Sequence, residues 1–358
     1  MILNSIQTIN FRNLNQIDLS FNSKTNIFIG ENGQGKTNLL ESIYLLSLAR
    51  SFKTNKFNDI ALYKTNHFYI KGEIEKNHFT YEISLNYENN QKSILINQSR
   101  ASKYKDILGL LNVVLFVPED LSLLKSSPSV RRKLLDIELS KINFNYLSCL
   151  SGYYNALKER NTLLKTKSID KYYLDTLNDL LIKYGSQIIL FREKFIQDLI
   201  PLIDGIYKKL SQSDQSISMN YLPNTSIDLY KENLDKSYQR DLMSGFTNLG
   251  IHKDDFKVYL NERDASIYAS QGEQRSIVLS IKLALVHYIK SKSGSYPILL
   301  LDDVLSELDD SRQENLIDYL QEDIQTFIST TSLKNINEKL LEDSYLFKVS
   351  NGNIERCD

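Results

Sequence analysis

A chain of 358 residues with 42% hydrophobic and 24% charged side chains has an ordinary globular composition and the length to bury one large core or two smaller ones. Its 43 basic and 44 acidic side chains leave a formal charge of −1, so global charge does not announce a nucleic-acid partner; DNA would have to meet a local cationic surface, or one completed by dimerisation. Two distant cysteines, Cys149 and Cys357, exclude a disulfide framework and a CxxC zinc site, and Met1 opens no signal peptide, so a cytoplasmic protein is expected.

Ile6, Thr8 and Asn10-Phe11 alternate as a strand does, and Asn26-Ile27-Phe28-Ile29 is a short apolar strand running into glycine. There Gly30-Glu31-Asn32-Gly33-Gln34-Gly35-Lys36-Thr37 matches GxxxxGK[ST], the phosphate-binding P-loop. Glycines let successive N–H groups turn toward phosphate oxygens, Lys36 can reach the β- and γ-phosphates, and the Thr37 hydroxyl can ligate Mg2+. Asn38 to Ala49 has helical spacing, with Leu39, Leu40, Ile43, Leu46 and Leu48 available for one buried side. Between His67 and Ile96 alternating segments such as Phe79 to Leu85, broken at Glu88-Asn89-Asn90, predict antiparallel hairpins. The run from Ile107 to Val117 is too short to cross a bilayer.

From about Arg131 to Leu210 the chain reads as helix. Leu174, Leu177, Leu181, Tyr184, Ile188, Phe191 and Phe195 form a near-heptad stripe, read as helix-on-helix core rather than a partner-binding face. Pro201 is expected to end that helix, and Ile203, Ile206, Tyr207 and Leu210 to start another. Residues 211 to 240 are polar, with a turn at Pro223-Asn224. Ser270-Gln271-Gly272-Glu273-Gln274-Arg275 then places a serine hydroxyl and a glycine N–H before a helix marked by Val278, Ile281, Leu283, Leu285 and Ile289; this is an anion-binding surface or, read alone, an ordinary helix cap. Ile298-Leu299-Leu300-Leu301-Asp302-Asp303 is an apolar strand ending in two carboxylates. Asp302 is assigned to the metal, and Asp303, with Lys36, to catalysis as the group that orients and partly deprotonates water. A last strand follows at Thr326 to Thr331.

The P-loop with Asn32 and Asn38 resembles the ABC/SMC branch of ATPases, and SQGEQ, roughly twenty-five residues before the acidic strand, resembles the ABC signature loop. Ser306-Glu307-Leu308-Asp309 resembles the D-loop. Within that class the chain is identified as similar to the RecF family. The carrying strings are Phe116-Val117-Pro118-Glu119-Asp120-Leu121 with Lys125, Pro128, Arg131-Arg132 and Leu135-Asp136; Tyr154, Leu157-Lys158 and Arg160-Asn161; and Arg240-Asp241, Gly245 and Thr247. Gly250-Ile251-His252-Lys253-Asp254-Asp255 stands where the family usually reads GPHRDD, departing at Ile251 and Lys253. The longest candidate helix, Tyr173 to Ile200, would reach only about 40 Å at 1.5 Å per residue, unlike the long arms of SMC and Rad50-like nuclease partners, and it carries no CxxC hook.

The resemblance implies an α/β, ABC-type P-loop ATPase head built from both chain ends, 1–117 and 241–358, with a helical short-arm insertion at 118–240. It implies ATP and Mg2+, with Gly30, Glu31, Asn32, Gly33, Gln34, Gly35, Lys36, Thr37 and Asn38 around the nucleotide and Ser270, Gln271, Gly272, Glu273 and Gln274 closing on it from a second copy. It further implies an ATP-dependent homodimer with weak ATPase activity, DNA binding at single-strand/double-strand junctions, and cooperation with RecR and RecO in loading RecA, away from any membrane. Candidate DNA contacts are Lys125, Arg131, Arg132, Lys133, Lys158, Arg160, Lys165 and Lys167, for each of which a solvated charge or a salt bridge is the alternative. The Q-loop glutamine has no clean counterpart near Glu119 or Asp120, and no histidine stands at the switch position, where Thr330 or Thr331 falls. A transporter's energising subunit would show both. His252 is read as a hydrogen-bonded structural histidine.

Overall fold

The computed structural model describes residues 1–101, 106–166, 168–320, 323–333, 336 and 338–357; Lys167 lies outside them. Two compact units emerge: Met1–Leu121 with Ile206–Ser213 and Arg275–Asp358, and Ser122–Gly205 with Asp214–Gln274.

The first unit opens with β1 (Ile2–Phe11) and β2 (Leu14–Ser20), then β3 (Thr25–Ile29) and α1 (Lys36–Leu48). The meander β4 (His67–Lys76), β5 (Phe79–Glu88), β6 (Gln91–Ile96) and β7 (Ser99–Arg100) follows, and then β8 (Val113–Phe116). The antiparallel order β2-β1-β4-β5-β6-β7 realises the hairpins that the alternation predicts.

In the second unit α2 (Pro128–Ile142), α3 (Phe144–Leu163) and most of α4 (Lys171–Ser211) accompany β9 (Ile217–Leu222) and α5 (Tyr230–Ser244). They are joined by β10 (Asp255–Leu260), β11 (Arg263–Asp264), α6 (Ala265–Tyr268) and the first turn of α7 (Gln271–Ser293). The heptad stripe is core: Leu174, Leu177, Leu181, Ile188 and Phe195 are all buried. One expectation fails here. Pro201 does not end its helix, because it is exposed and the apolar face on either side of it, from Leu199 to Ile203 and Tyr207, stays buried; one lost N–H does not break so strongly packed a helix. The polar stretch 211–240 contains β9, whose Ile217 and Met219 alternate inward and which pairs antiparallel with β10, and α5, anchored by only Tyr230, Leu234 and Asp241. The chain passes between the compact units after 121 and 274, and also around Ile206–Ser213, which belongs to the first; the β9–β10–β11 sheet lies in the second.

Back in the first unit come β12 (Ile298–Asp302), α8 (Asp310–Leu320), β13 (Thr326–Thr330), α9 (Glu338–Glu342), β14 (Ser344–Ser350) and β15 (Asn353–Cys357). Here strands from both chain ends share one sheet, β15-β14-β3-β13-β12-β8, parallel except for the β14–β15 hairpin. Phe21, Phe28, Phe327 and Phe347 pack at its centre, the Phe28 and Phe347 rings 4.9 Å apart. Helix α1 touches β1, β4, β12 and β13, so it is buried on every side rather than on one. Its interior polar groups are satisfied locally: Ser42 donates to Leu39 O (2.6 Å), Ser47 to Tyr44 O (2.7 Å), and Glu41 accepts the Arg12 guanidinium in a two-pronged pair (2.9 and 2.7 Å).

Candidate active site

Strands β3, β13 and β12 lie side by side and parallel, so the P-loop, Ser329 and the acidic pair leave the same edge of the sheet. Open α/β sheets offer a ligand their strand C-termini in just this way. The P-loop's backbone is shaped for close approach. A Cβ on Gly30 would stand 2.3 Å from Val349 O, and Gly35, at φ 122°, occupies a conformation that side chains rarely adopt. The first turn of α1 closes with Leu39 N–H donating to Gly35 O (3.0 Å), which leaves the preceding N–H groups as the helix's unsatisfied donors.

Lys36 folds back over the loop, its ammonium donating to Gly30 O (2.5 Å) and Glu31 O (2.9 Å). Burial lowers its pKa, and the nearby Asp303 and Asp302 charges counter that shift. The Thr37 hydroxyl donates to Asp302 Oδ1 (2.9 Å), which also accepts the Ser329 hydroxyl (2.7 Å). Burial raises the Asp302 pKa against the pull of those two hydrogen bonds and of the Lys53 charge. Asp303 sits at φ 52°, its N–H donating to Ser329 Oγ (2.9 Å) and Ser329 O (3.2 Å), while its Oδ1 is buried without a hydrogen-bond partner among the described residues. The four residues of the expected P-loop and acid-pair chemistry thus meet in one place.

Several contributors escaped the sequence reading. Ser329, one residue before the Thr330 and Thr331 considered for the switch, is the side chain that touches both acids; Thr330 instead donates to Ser332 O (2.9 Å). Asn13 donates to Gln34 O (3.1 Å) and accepts from Asn38 (2.8 Å), so Asn38 braces the loop. Lys53 donates to Asn38 Oδ1 (2.9 Å) and its pKa is lowered by burial. Nothing in local spacing reveals these, since each acts across a turn or between strands. Asp120 is structural: it accepts Val117 N–H (2.9 Å) and pairs with Lys282 (2.9 Å).

Around the signature string, Ser270 is exposed, and it forms a capping box with Glu273, which accepts both its N–H (2.7 Å) and its hydroxyl (2.8 Å). Gln271 is exposed too. Gln274 corrects its expected place at a nucleotide: it is buried, donating to Ala269 O (2.7 Å).

The arm strings prove largely architectural. Arg160 is fully buried, donating to Asn178 (2.7 Å), Asp241 (2.8 Å) and Thr247 (2.7 Å), so it cannot meet a DNA phosphate. Arg131 is spent on a two-pronged pair with Asp255 (2.6 and 2.8 Å), and Arg132 donates to Asp254 O (2.7 Å). Lys125, Lys133, Lys158 and Lys165 are exposed.

His252 is enclosed as expected. Thr247 O can only accept, so Nε2 carries the proton (3.0 Å) and Nδ1 accepts from Tyr153 (2.8 Å). Burial pushes its pKa from 6.5 down to about 4. An unfolded chain therefore takes up a proton that the folded one refuses, and stability is lost as pH falls from 6.5 toward about 4. His252→Gln, which does not titrate, should flatten that slope in urea midpoints taken across the interval; an unchanged slope would contradict this assignment.

The family model described as the RecF/RecN/SMC N terminal domain matches residues 2–354. A "DNA replication and repair protein RecF" of Staphylococcus epidermidis is 38% identical over 99% of this chain and 100% of its own length. The chain belongs to the RecF family. A protein of the same name from Streptococcus gordonii is 40% identical over 99% of this chain and 100% of its own. A solved RecF-ATP structure, described as a recombination mediator of the RecFOR pathway, superposes with a TM-score of 0.91 at 32% identity, covering 100% of this chain and 98% of that one. An Smc head domain from Pyrococcus furiosus, at 14% identity and TM-score 0.58 over 99% of this chain and 96% of its own, shares the fold alone. RecF membership makes this an α/β head of the P-loop ATPase class. Among the described residues no helix is long and apolar enough to cross a membrane.

Proposed function

We propose that this chain is an ATP-dependent DNA-binding protein of recombinational repair and replication maintenance. It dimerises on ATP, binds single-strand/double-strand junctions and assists RecA loading with RecR and RecO. The observation that carries the reading is the meeting of Lys36, Thr37, Asp302 and Asp303 at one sheet edge, in a RecF-family chain whose solved relative is described with ATP.

The P-loop N–H groups and Lys36 take the triphosphate. Thr37 and Asp302 suit Mg2+: among the described residues no cluster of three acids, histidines or cysteines stands ready, and a hard cation held by one hydroxyl, one carboxylate and phosphate oxygens needs none. Bound there, Mg2+ neutralises phosphate charge. The unpartnered, buried Asp303 Oδ1 suits a hydrogen bond from the attacking water. The exposed Ser270 loop of a second copy closes on the nucleotide, and weak hydrolysis releases it.

Sizing the protein with and without saturating ATP, with gapped and blunt duplexes in competition, tests this. A dimer on ATP that prefers the gapped duplex is expected; a monomer with no preference would remove the proposal. Lys158→Glu should weaken binding to the gapped duplex and reduce the log–log salt slope by about one.

A further inference from the structure

We infer that Ser329 is a positioning residue for ATP hydrolysis, one hydroxyl setting both acids at once; the inference rests on the function proposed above. The Ser329 hydroxyl donates its proton to Asp302 Oδ1 (2.7 Å) and accepts the Asp303 N–H (2.9 Å). Ser329 is fully buried at the end of β13, directly opposite Asp302 in the parallel register. Its carbonyl accepts the same Asp303 N–H at 3.2 Å.

Two consequences follow from this geometry. Asp302 Oδ1 is held between two hydroxyls, those of Thr37 and Ser329, which fixes the rotamer of the acid and ties it to the first turn of α1. Asp303 is held at φ 52°, a left-handed conformation that a non-glycine residue keeps only when its surroundings impose it. That backbone turn carries the carboxyl to where its Oδ1 is buried and, among the described residues, unpartnered. Ser329 touches no phosphate and moves no proton to or from substrate. It holds the metal-linked acid and the water-orienting acid in register, and a small misplacement of such groups slows chemistry much more than binding.

Threonine and valine at 329 have nearly the same shape and differ by the hydroxyl, so any cost of the added methyl is common to both. Ser329→Thr should retain turnover, whereas Ser329→Val should lower kcat about ten- to hundred-fold relative to it, with KM changed little. A readout independent of turnover is the binding of a fluorescent ATP analogue titrated with Mg2+. Metal-free affinity should match in the two variants, while the half-saturating Mg2+ concentration rises several-fold in Ser329→Val alone. Equal kcat and equal Mg2+ dependence in Thr and Val would overturn the inference. Ser329→Ala, which removes only one oxygen, replaces the pair if neither folds, and should then behave as described for Val; wild-type kcat and Mg2+ dependence in Ala would overturn the inference equally. Wild-type protein in the same assays separates the two readings: no binding and no hydrolysis of ATP there would end the proposed function itself, whereas an active wild type with indistinguishable variants would end only the role of Ser329.

Discussion

Asp303→Asn is expected to lower ATP turnover by about 10²–10⁴-fold, the range associated with losing a positioned general base. Nucleotide affinity should stay within about two-fold, because an interaction that matters only in the transition state leaves ground-state binding alone. The substitution is chosen for its backbone. Asp303 sits at φ 52°, and asparagine is the side chain besides glycine that tolerates the left-handed region best, so the variant should fold as the parent does. Its amide keeps one oxygen but loses the charge that attracts the water's proton. On the proposed function, ATP should then accumulate in a closed dimer, which sizing reads directly. Full turnover in this variant would show that the buried, unpartnered Oδ1 has no part in hydrolysis.

The largest effect on stability is expected in the second unit. Arg192 is fully buried, pairs with Asp136 (2.7 Å) and Asp254 (2.7 Å), and donates to Ile251 O (3.0 Å). Asp254 in turn accepts the Tyr221 hydroxyl and the Asn224 N–H (2.8 Å). Arg192→Met leaves two carboxylates without their counter-charge, a defect of about 3–5 kcal/mol for a broken buried pair. That corresponds to a fall in Tm on the order of 10 °C for a unit of this size. The pH dependence distinguishes charge from packing. Burial already raises the Asp254 pKa while Arg192 holds it down, so without the guanidinium it should rise further. The penalty is then greatest at neutral pH and shrinks as pH falls through the raised value, because protonation removes the buried charge. A penalty that does not change with pH would point to lost packing instead, and Asp254→Asn in the same background should then restore nothing.

The elements of the proposed nucleotide site were legible before the fold because they are written locally. Gly30 to Thr37 must follow one another for their N–H groups to line one cradle, and two acids must end an apolar strand to stand at a sheet edge. The α/β class, the hairpins of the first unit and the core role of the Leu174 to Phe195 stripe followed from periodicity in the same way. Charge alone could not sort the arm. Arg131 and Arg160 look like the exposed Lys125 and Lys158 in sequence, yet the first two are committed to Asp255 and Asp241, residues more than eighty positions away.

Residue order and side-chain chemistry by themselves determined the phosphate loop, the paired acids and the RecF resemblance, since each depends on neighbours in the chain. Only the tertiary structure decided that Ser329 joins the two acids, that Pro201 stays within a helix, and that Gln274, Asp254 and Arg160 are structural. Burial and hydrogen-bond partnership are properties of which distant segments meet, and strand pairing and helix packing settle that only after the chain has folded.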